Sequence, residues 1–263
     1  MIFETHAHYD DEAFDADRDA LLESLPAAGI GRVCNIGASL KGSIKSAELA
    51  EKYGFVYFAA GIHPDECADL DDDAGFRKIR ELAMHPKCVA IGEIGLDYHG
   101  FDIYEDKPSK ERQQECFLMQ LELAAGLGKA VVIHSRNASA DTLEYMKKAR
   151  AMGIERAILH CYSYSRETAL EYVSMGYMLG FGGSTTYEGQ KKLSKVLGAV
   201  PAEHIVLETD CPYLAPVPHR GERNSSLNLP LIRDKIAELK GMDPAELEAI
   251  TFRNALRVYG IEA

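Results

Sequence analysis

Residues 1–8 read Met-Ile-Phe-Glu-Thr-His-Ala-His, so that a short apolar run leads directly into two histidines. The run has the length of one β-strand, and residues two apart in a strand point to the same face. His6 and His8 can therefore face the same ion. Similar strand-like runs recur along the chain, and the eight runs together cover residues 2–6, 32–37, 56–61, 89–93, 130–134, 157–160, 177–180 and 205–208.

Segments with helical periodicity separate these runs, for example at residues 17–28, 40–53, 110–126 and 138–152. Short apolar strands that alternate with helices predict an α/β protein with a closed parallel sheet. The length of 263 residues suits one (β/α)8 barrel of the TIM type, which typically has about 250 residues. No linker rich in Pro, Ser and Gly divides the chain, so we expect a single domain over residues 1–263.

Helix ends and the C-terminal region carry further local signals. Five glycines, each shortly before a strand, predict left-handed helix ends, namely Gly29, Gly54, Gly128, Gly153 and Gly176. A long proline-containing loop is expected at residues 211–228, followed by C-terminal helices from residue 229. Asp243-Pro244 is a typical start for the second of these helices.

Composition limits the classes of function. The net charge of −12 argues against a protein that binds along nucleic acid without specificity, because such binding needs a basic surface. It allows an enzyme that binds a single phosphodiester end. The apolar runs are too short to cross a bilayer, and we expect no membrane association and no signal peptide. Six cysteines without a CxxC pair indicate reduced thiols in a cytoplasmic protein.

Residues of the kinds that bind metals gather at one predicted face. His6, His8, Glu93, His134, His160 and Asp210 all fall at or just past the carboxyl ends of predicted strands. Barrel enzymes carry their chemistry at that face. Mixed imidazole and carboxylate ligands suit divalent ions such as zinc or manganese, and six ligands are enough for two ions that share one of them. The sequence therefore predicts a metal-dependent hydrolase.

Four of these residues also have a simpler interpretation. Glu93 can pair with Arg136, either of His134 and His160 can be a core histidine, and Asp210 can cap a helix. His63, at the end of the third run, is interpreted as a substrate contact rather than a ligand. The glycine-rich residues 180–184 lack the lysine of a phosphate loop, so we expect their glycines to let the backbone approach the substrate. No GxSxG, Walker or dinucleotide motif supports a different catalytic scheme.

The motifs resemble those of the TatD family of metal-dependent deoxyribonucleases, and the resemblance extends over essentially the whole chain. The matching segments are His6-Ala7-His8-Tyr9-Asp10, Gly61-Ile62-His63-Pro64, GEIGLDY from Gly92, IHSR from Ile133, LHCYS from Leu159 and ETDCPYLAP from Glu208. The resemblance implies a distorted barrel of the amidohydrolase superfamily. It also implies two divalent ions, one held by His6, His8, Glu93 and Asp210 and the other by Glu93, His134 and His160.

The activity that the resemblance implies is phosphodiester hydrolysis, commonly as a 3′→5′ DNA exonuclease. DNA ends or single strands are the expected substrate, with tRNA as a possible one, and no obligate protein partner is evident. Asp210 is the candidate general base, helped by Glu93, while Arg136 and His63 are the candidates for binding phosphate oxygens. Zinc, manganese and magnesium cannot be ranked, although the histidines argue against magnesium alone.

Alternatives on the same dinuclear site are a D-aminoacyl-tRNA deacylase and a hydrolase of small esters or phosphoesters. A non-catalytic scaffold is disfavoured because no ligand is missing. Two positions depart from the family pattern: Tyr164 stands where a small residue is usual, and Ser225-Ser226 stand where Glu-Pro is usual. The second departure removes a carboxylate near the expected substrate mouth, which leaves the preferred substrate open.

Overall fold

A computed structural model describes residues 1–70, 73–101 and 103–262, without the side chain of residue 73. Eight parallel strands form one sheet and lie in it in chain order. They are β1 (Ile2–Ala7), β2 (Ile30–Ile36), β3 (Val56–Ala60), β4 (Cys88–Asp97), β5 (Ala130–Arg136), β6 (Ala157–Leu159), β7 (Met178–Phe181) and β8 (Ile205–Leu207). Each strand is followed by helical structure, so the chain winds in one direction around the sheet.

The helices surround the sheet and extend past its last strand. They are α1 (Arg18–Ser24), α2 (Leu40–Lys52), α3 (Asp73–Ala83), α4 (Lys110–Leu127), α5 (Ser139–Ala151), α6 (Arg166–Ser174), α7 (Lys191–Ala199), α8 (Leu229–Lys240) and α9 (Pro244–Tyr259). α9 begins as the sequence predicts, because the Asp243 carboxylate accepts hydrogen bonds from the backbone N–H groups of Ala245 and Glu246. In the described part of the chain, no helix combines the length and apolar character that crossing a bilayer requires.

The sheet closes on itself between β1 and β8, but not by a regular ladder. Ala7 forms an isolated parallel bridge with Cys211, just beyond β8. The backbone N–H of Asp210 donates to the His6 carbonyl oxygen at 2.9 Å, and the N–H of His8 donates to the Cys211 carbonyl oxygen at 2.9 Å. The predicted (β/α)8 barrel is therefore confirmed, and its distortion lies at this seam.

The barrel interior is filled at its amino-terminal end. Inward side chains such as Phe3 and Ile158 form a buried cluster with Leu256 and Tyr259 of α9. The Tyr259 hydroxyl donates to the Thr5 carbonyl oxygen at 2.6 Å. Because α9 covers this end, only the opposite end of the barrel remains open for a site.

Two strands are longer than the sequence predicts. β4 continues past Glu93 to Asp97, and β5 continues past His134 to Arg136, since these extensions pair with each other. The register of this pair shifts between Ile91 and Ile94, so Glu93 lies at an irregularity inside the strand and not at its end. Such a shift depends on the partner strand and cannot be read from one strand alone.

Glycines permit the close contacts in this region. A Cβ on Gly95, whose φ is +148°, would lie 2.0 Å from the His134 carbonyl oxygen, so only glycine fits between β4 and β5. Of the five glycines predicted to be left-handed, all but Gly54 have a positive φ. The prediction was wrong for Gly54 because α2 ends in extended backbone at Tyr53.

Candidate metal centre

All six predicted ligands meet at the open end of the barrel. His6 belongs to β1, and His8 follows it directly. Glu93 and His134 lie within β4 and β5, while His160 and Asp210 follow β6 and β8. The side chains are largely withdrawn from solvent, with His6 fully buried and Glu93 4% exposed. The closure of the barrel therefore brings residues that are up to two hundred positions apart into one cluster.

Four of the six side chains form the first set of donor atoms. His6 Nε2 lies 3.1 Å from His8 Nε2, and the Glu93 Oε2 atom lies 3.5 Å from His6 Nε2 and 3.7 Å from His8 Nε2. Asp210 Oδ1 lies 3.6 Å from His6 Nε2 and 3.4 Å from His8 Nε2. Two ligands of one tetrahedral ion, each about 2.1 Å from it, are separated by about 3.4 Å. These spacings therefore fit a shared cation.

The second set uses the other oxygen of the same carboxylate. Glu93 Oε1 lies 2.9 Å from His134 Nδ1 and 3.0 Å from His160 Nε2. The two oxygens of Glu93 thus face different groups of histidines. This division is what a carboxylate that bridges two cations needs.

Neighbouring groups fix which nitrogen of His8 and of His134 is free. His8 Nδ1 lies 2.9 Å from the Ile36 carbonyl oxygen, which can only accept, so Nδ1 carries the proton of the neutral ring. Nε2 then presents its lone pair to the cluster. His134 Nε2 lies 3.1 Å from Asp97 Oδ2, and by the same reasoning its Nδ1 lone pair faces Glu93. Carboxylates and carbonyls commonly orient metal-binding histidines in this way.

The electrostatics of the cluster favour positive charge. Burial alone would raise the pKa of Glu93, but the neighbouring His160 and His6 hold it well below its usual range. Burial opposes protonation of His8, yet its hydrogen bond and charge interaction with Asp210 raise its pKa to about 9. The charge of Glu93 likewise raises the pKa of His160 well above its usual range in spite of burial. The field that retains protons on these rings also attracts a divalent cation.

The cluster opens into a pocket of about 360 Å³. Six carboxylates line this pocket, those of Asp10, Asp11, Asp65, Glu93, Asp97 and Asp210, whereas Arg136 is the one arginine among its described lining residues. In the part of the chain that the structure describes, no lysine or arginine nitrogen lies within 4 Å of the Glu93 or Asp210 oxygens. A mouth this acidic repels phosphate unless cations are present. The donor set therefore fits divalent metal ions.

His63 and Arg136, the predicted substrate contacts, line the same pocket. His63 Nδ1 accepts a hydrogen bond from the Asp65 backbone N–H, so a neutral ring carries its proton on Nε2. Burial, reinforced by the nearby His134, lowers the pKa of His63 to about 4 and keeps the ring neutral. The Arg136 side chain is exposed at the rim. Both residues are in a position to donate hydrogen bonds to a bound anion.

Two of the simpler interpretations are not observed. Among the described residues Glu93 pairs with histidines and not with Arg136. Asp210 does not cap a helix, because a turn follows it in which the Tyr213 N–H donates to the Asp210 carbonyl oxygen. Asp210 has a φ of +57°, a conformation that non-glycine residues adopt infrequently and often at functional sites.

Three buried carboxylates around the cluster were missed. Asp97 binds His134, Glu208 Oε1 lies 3.6 Å from His160 Nδ1, and Glu4 accepts from the backbone N–H groups of His6 and Thr209. An even spacing from a predicted ligand is the sequence signal that points to them, although it applies to Asp97 only because β4 continues that far, and Glu208 and Asp210 lie just past β8. Glu4 lies two residues before His6, Glu208 two before Asp210, and Asp97 four after Glu93.

The glycines of residues 180–184, which were expected to let the backbone approach the substrate, have close contacts within the protein. A Cβ on Gly180 would lie 2.1 Å from Glu208 Oε2, and one on Gly183 would lie 1.9 Å from the Leu214 carbonyl oxygen. These glycines allow β8 and the loop after it to pack against β7. They serve the protein's own packing.

The two departures from the family pattern have structural contacts of their own. The Tyr164 hydroxyl lies 3.0 Å from Ser135 Oγ and accepts from the Ala138 backbone N–H at 3.2 Å. Ser226 is buried and donates through Oγ to Glu4, while its backbone N–H donates to the Tyr9 hydroxyl. Tyr164 therefore tethers the segment that contains Arg136, and Ser226 joins the loop after β8 to the interior carboxylate.

A parallel eight-stranded barrel with histidines and carboxylates at the carboxyl ends of its strands defines the class of metal-dependent barrel hydrolases. The family model described as TatD related DNase matches residues 3–260. The chain belongs to this family, and the resemblance seen in its motifs is confirmed.

Curated relatives and solved structures agree with this membership. The chain is 37% identical to the Bacillus subtilis protein named uncharacterized metal-dependent hydrolase YabD, over 99% of this chain and 100% of that protein. It is 35% identical to the Cronobacter sakazakii protein named 3′-5′ ssDNA/RNA exonuclease TatD, over 94% of this chain and 93% of that protein. The crystal structure of YJJV, a TatD homologue from Escherichia coli K12, superimposes with a TM-score of 0.90 at 28% identity, covering 99% of this chain and 98% of that one. This chain is a metal-dependent hydrolase.

Proposed function

We propose that the protein is a divalent-metal-dependent nuclease that removes nucleotides from the 3′ ends of single-stranded nucleic acid. The division of the two Glu93 oxygens between two sets of donors is the observation that carries the proposal. His6, His8, Glu93 and Asp210 would hold one ion, and Glu93, His134 and His160 the other. Support for the substrate comes from the Cronobacter sakazakii relative, which is named a 3′-5′ ssDNA/RNA exonuclease.

Bound divalent ions lower the pKa of water and offset the charge that builds up on phosphate oxygens. Asp210 would take the proton that water loses as its oxygen attacks phosphorus and the ester P–O bond breaks. Arg136 and His63 would donate hydrogen bonds to the non-bridging oxygens, and Arg136 offers a fork suited to two of them. The departing alkoxide takes up a proton, so that each turnover consumes one water molecule.

The shape and charge of the mouth favour a strand end over a duplex. The pocket volume of about 360 Å³ lies at the low end of the range for small-molecule sites. Tyr213 lines the pocket and is 54% exposed, which leaves its ring free to stack on a terminal base. A strand interior or a paired end would have to be distorted before it reached the Glu93 cluster.

The proposal is tested by offering metal-loaded protein a linear single strand and a circular strand of the same sequence. We expect the linear strand to be degraded and the circle to persist, with activity lost on chelation. Blocking the 3′ end should stop degradation, whereas a 5′ block should not. Equal rates on circle and linear strand would rule out the exonuclease.

The same metal-loaded preparation is offered D-aminoacyl-tRNA and small esters in parallel. Faster turnover of either would assign the site to a different substrate while keeping the metal centre. An active preparation from which all metal has been removed would refute the metal-dependent mechanism as well.

A further inference from the structure

α7 carries three lysines that lack acidic partners. Lys191, Lys192 and Lys195 are all exposed, and among the residues that the structure describes no carboxylate oxygen lies within 4 Å of their ammonium groups. Several exposed lysines on other helices are paired, for example Lys78 with Glu81 and Lys148 with Glu144. In a chain with a net charge of −12, this makes α7 a local region of positive charge.

Two of these lysines, Lys192 and Lys195, line a cleft between α6 and α7. The cleft has a volume of about 790 Å³, and Arg166, Lys192 and Lys195 contribute cations to its lining, against the one carboxylate of Glu167. Glu167 is itself 3.4 Å from the Arg166 guanidinium. The cleft is therefore basic, in contrast to the acidic pocket around Glu93.

The cleft begins at the same face of the barrel as the metal centre. α6 and α7 follow β6 and β7, so their first turns lie at the carboxyl ends of the strands, where His160 also lies. Lys191 and Lys192 form the first turn of α7, and Arg166 begins α6. Positive charge is thus presented beside the mouth of the barrel.

A further cation lies on the loop after β8, against the segment that leads into α7. Tyr187, on the segment between β7 and α7, donates through its hydroxyl to the Ala215 carbonyl oxygen of the loop after β8. The exposed Arg220 guanidinium lies 4.6 Å from the centre of the Tyr187 ring. Arg220 therefore adds a positive charge on the loop that also contains Tyr213, next to the segment that leads into α7.

We infer that the α6–α7 cleft, together with Arg220, binds the sugar–phosphate backbone of the single strand whose 3′ end occupies the metal centre. This inference rests on the proposed function. A phosphate chain that leaves the acidic mouth needs cations along its path, and in the described structure the lysines of α7 supply them without competing carboxylates. Because the cleft lining offers ammonium and guanidinium groups and no aromatic ring, the contact is to phosphate and is independent of sequence.

Two triple variants test the cleft at equal net charge. One replaces the lysines of α7 (Lys191→Gln, Lys192→Gln and Lys195→Gln), and the other replaces paired lysines elsewhere (Lys78→Gln, Lys148→Gln and Lys235→Gln). Binding of a labelled oligothymidylate of about twenty nucleotides is followed by fluorescence anisotropy at several salt concentrations. Hydrolysis of a dinucleotide, too short to reach from the metal centre into the cleft, is measured on the same proteins.

The α7 variant should bind the long strand about tenfold more weakly, and its slope of log K against log salt should be shallower by about 1–2. The matched variant should bind like the unaltered protein, and dinucleotide turnover should be the same in all three. Lys192→Glu alone should weaken binding as well. Equal binding by the two triple variants, or unchanged binding by Lys192→Glu, would overturn the inference.

The two proposals fail in different ways. Unaltered protein that binds the strand through α7 but cleaves neither strand nor dinucleotide refutes the nuclease and leaves the cleft as a binding site. Unaltered protein that cleaves both, with a strand affinity that the α7 lysines do not affect, refutes the cleft alone.

Discussion

The backbone of Asp210 adopts an unfavourable conformation at the position that places its carboxylate in the cluster. Its φ of +57° is unusual for a residue with a side chain. Its backbone N–H donates to the His6 carbonyl oxygen, so the residue forms part of the seam that closes the barrel. Its Oδ1 atom lies 3.4 Å from His8 Nε2. The hydrogen bond to His8 and the charges of the histidines outweigh burial and lower its pKa, which keeps the carboxylate ionised and able to accept a proton.

Asp210→Asn should separate catalysis from folding. Asparagine tolerates a positive φ and keeps one oxygen, so the fold and the donor set of Glu93, His134 and His160 should survive. Loss of the proton acceptor should lower kcat by about 10²–10⁴-fold. Metal content and turnover are measured on the same preparation, with thermal unfolding as the control for folding.

Glu93→Gln is the substitution with which Asp210→Asn is compared. Glu93→Gln should reduce activity and metal content further, because both sets of donors use its oxygens. Near-normal turnover of Asp210→Asn with full metal content would show that the general base is another group.

At the level of elements, the bend at the end of β5 decides where the Arg136 side chain lies. The Tyr164 hydroxyl, from the loop after β6, contacts Ser135 Oγ and accepts a hydrogen bond from the Ala138 N–H. Ser135 precedes Arg136 and Ala138 follows Asn137, so the two contacts lie on either side of this pair. Asn137 has a φ of +54°, so the segment turns sharply as it leaves the strand. The hydrogen bonds of the Tyr164 hydroxyl therefore stabilise this bend of the backbone.

Tyr164→Phe should loosen this bend. The variant loses two hydrogen bonds, and a net contribution of about 1 kcal/mol corresponds to about a fivefold change. We expect KM for a single strand to rise about fivefold with little change in kcat, since Arg136 is proposed to bind phosphate and not to transfer protons. Steady-state kinetics distinguish the two parameters.

Tyr57→Phe is the control, because Tyr57 lies near the amino end of β3, far from the mouth. A fall in kcat with unchanged KM for Tyr164→Phe, or the same change in both variants, would contradict this role of the Tyr164 hydroxyl.

The sequence predicts elements better than it predicts their irregularities. The alternation of apolar runs with helical segments predicts all eight strands to within a few residues, because each run must be buried on both faces. Glu93 was expected at a strand end, yet it lies at a register shift inside β4. Asp97 was missed for the same reason, since β4 was taken to stop four residues earlier. Pairing between neighbouring strands sets these positions, and it is not visible in either strand alone.

Candidate ligands are predictable where a local rule applies to them. His6 and His8 follow from strand alternation, and the four other residues follow from their position at one end of the barrel. Only the three-dimensional structure shows how the two Glu93 oxygens are divided between the histidines, and that the Ile36 carbonyl oxygen accepts a hydrogen bond from His8. The role of all six residues as ligands stays a prediction until metal analysis tests it.

The whole molecule combines a filled barrel with a highly charged open end. α9 closes the amino-terminal end with largely apolar side chains, and the buried histidines and carboxylates of the metal cluster, such as His6 and Glu93, lie at the opposite end. Buried charges are costly unless they are paired or bound to a cation. A divalent ion held at Glu93 would therefore contribute to the stability of the whole barrel and not only to its chemistry.

Metal should raise the melting temperature of chelated protein, and the gain should be larger at pH 8 than at pH 6. A ligand at about one hundred times its Kd stabilises by about 2.7 kcal/mol, which corresponds to about 5–10 °C for a domain of this size.

The pH dependence follows from His8, whose pKa is raised from 6.5 to about 9 by Asp210. Its protonated form stabilises the metal-free fold fully below pH 6.5, and this contribution is lost as pH rises toward 9. A metal ion must displace that proton, so its affinity increases over the same range. These are two descriptions of one proton linkage, and it enlarges the gain at pH 8. Thermal unfolding of chelated protein with and without manganese at the two pH values measures it, and Glu93→Gln should remove most of it. A gain that is equal at both pH values, or larger at pH 6, would show that metal binding does not compete with protonation of this cluster.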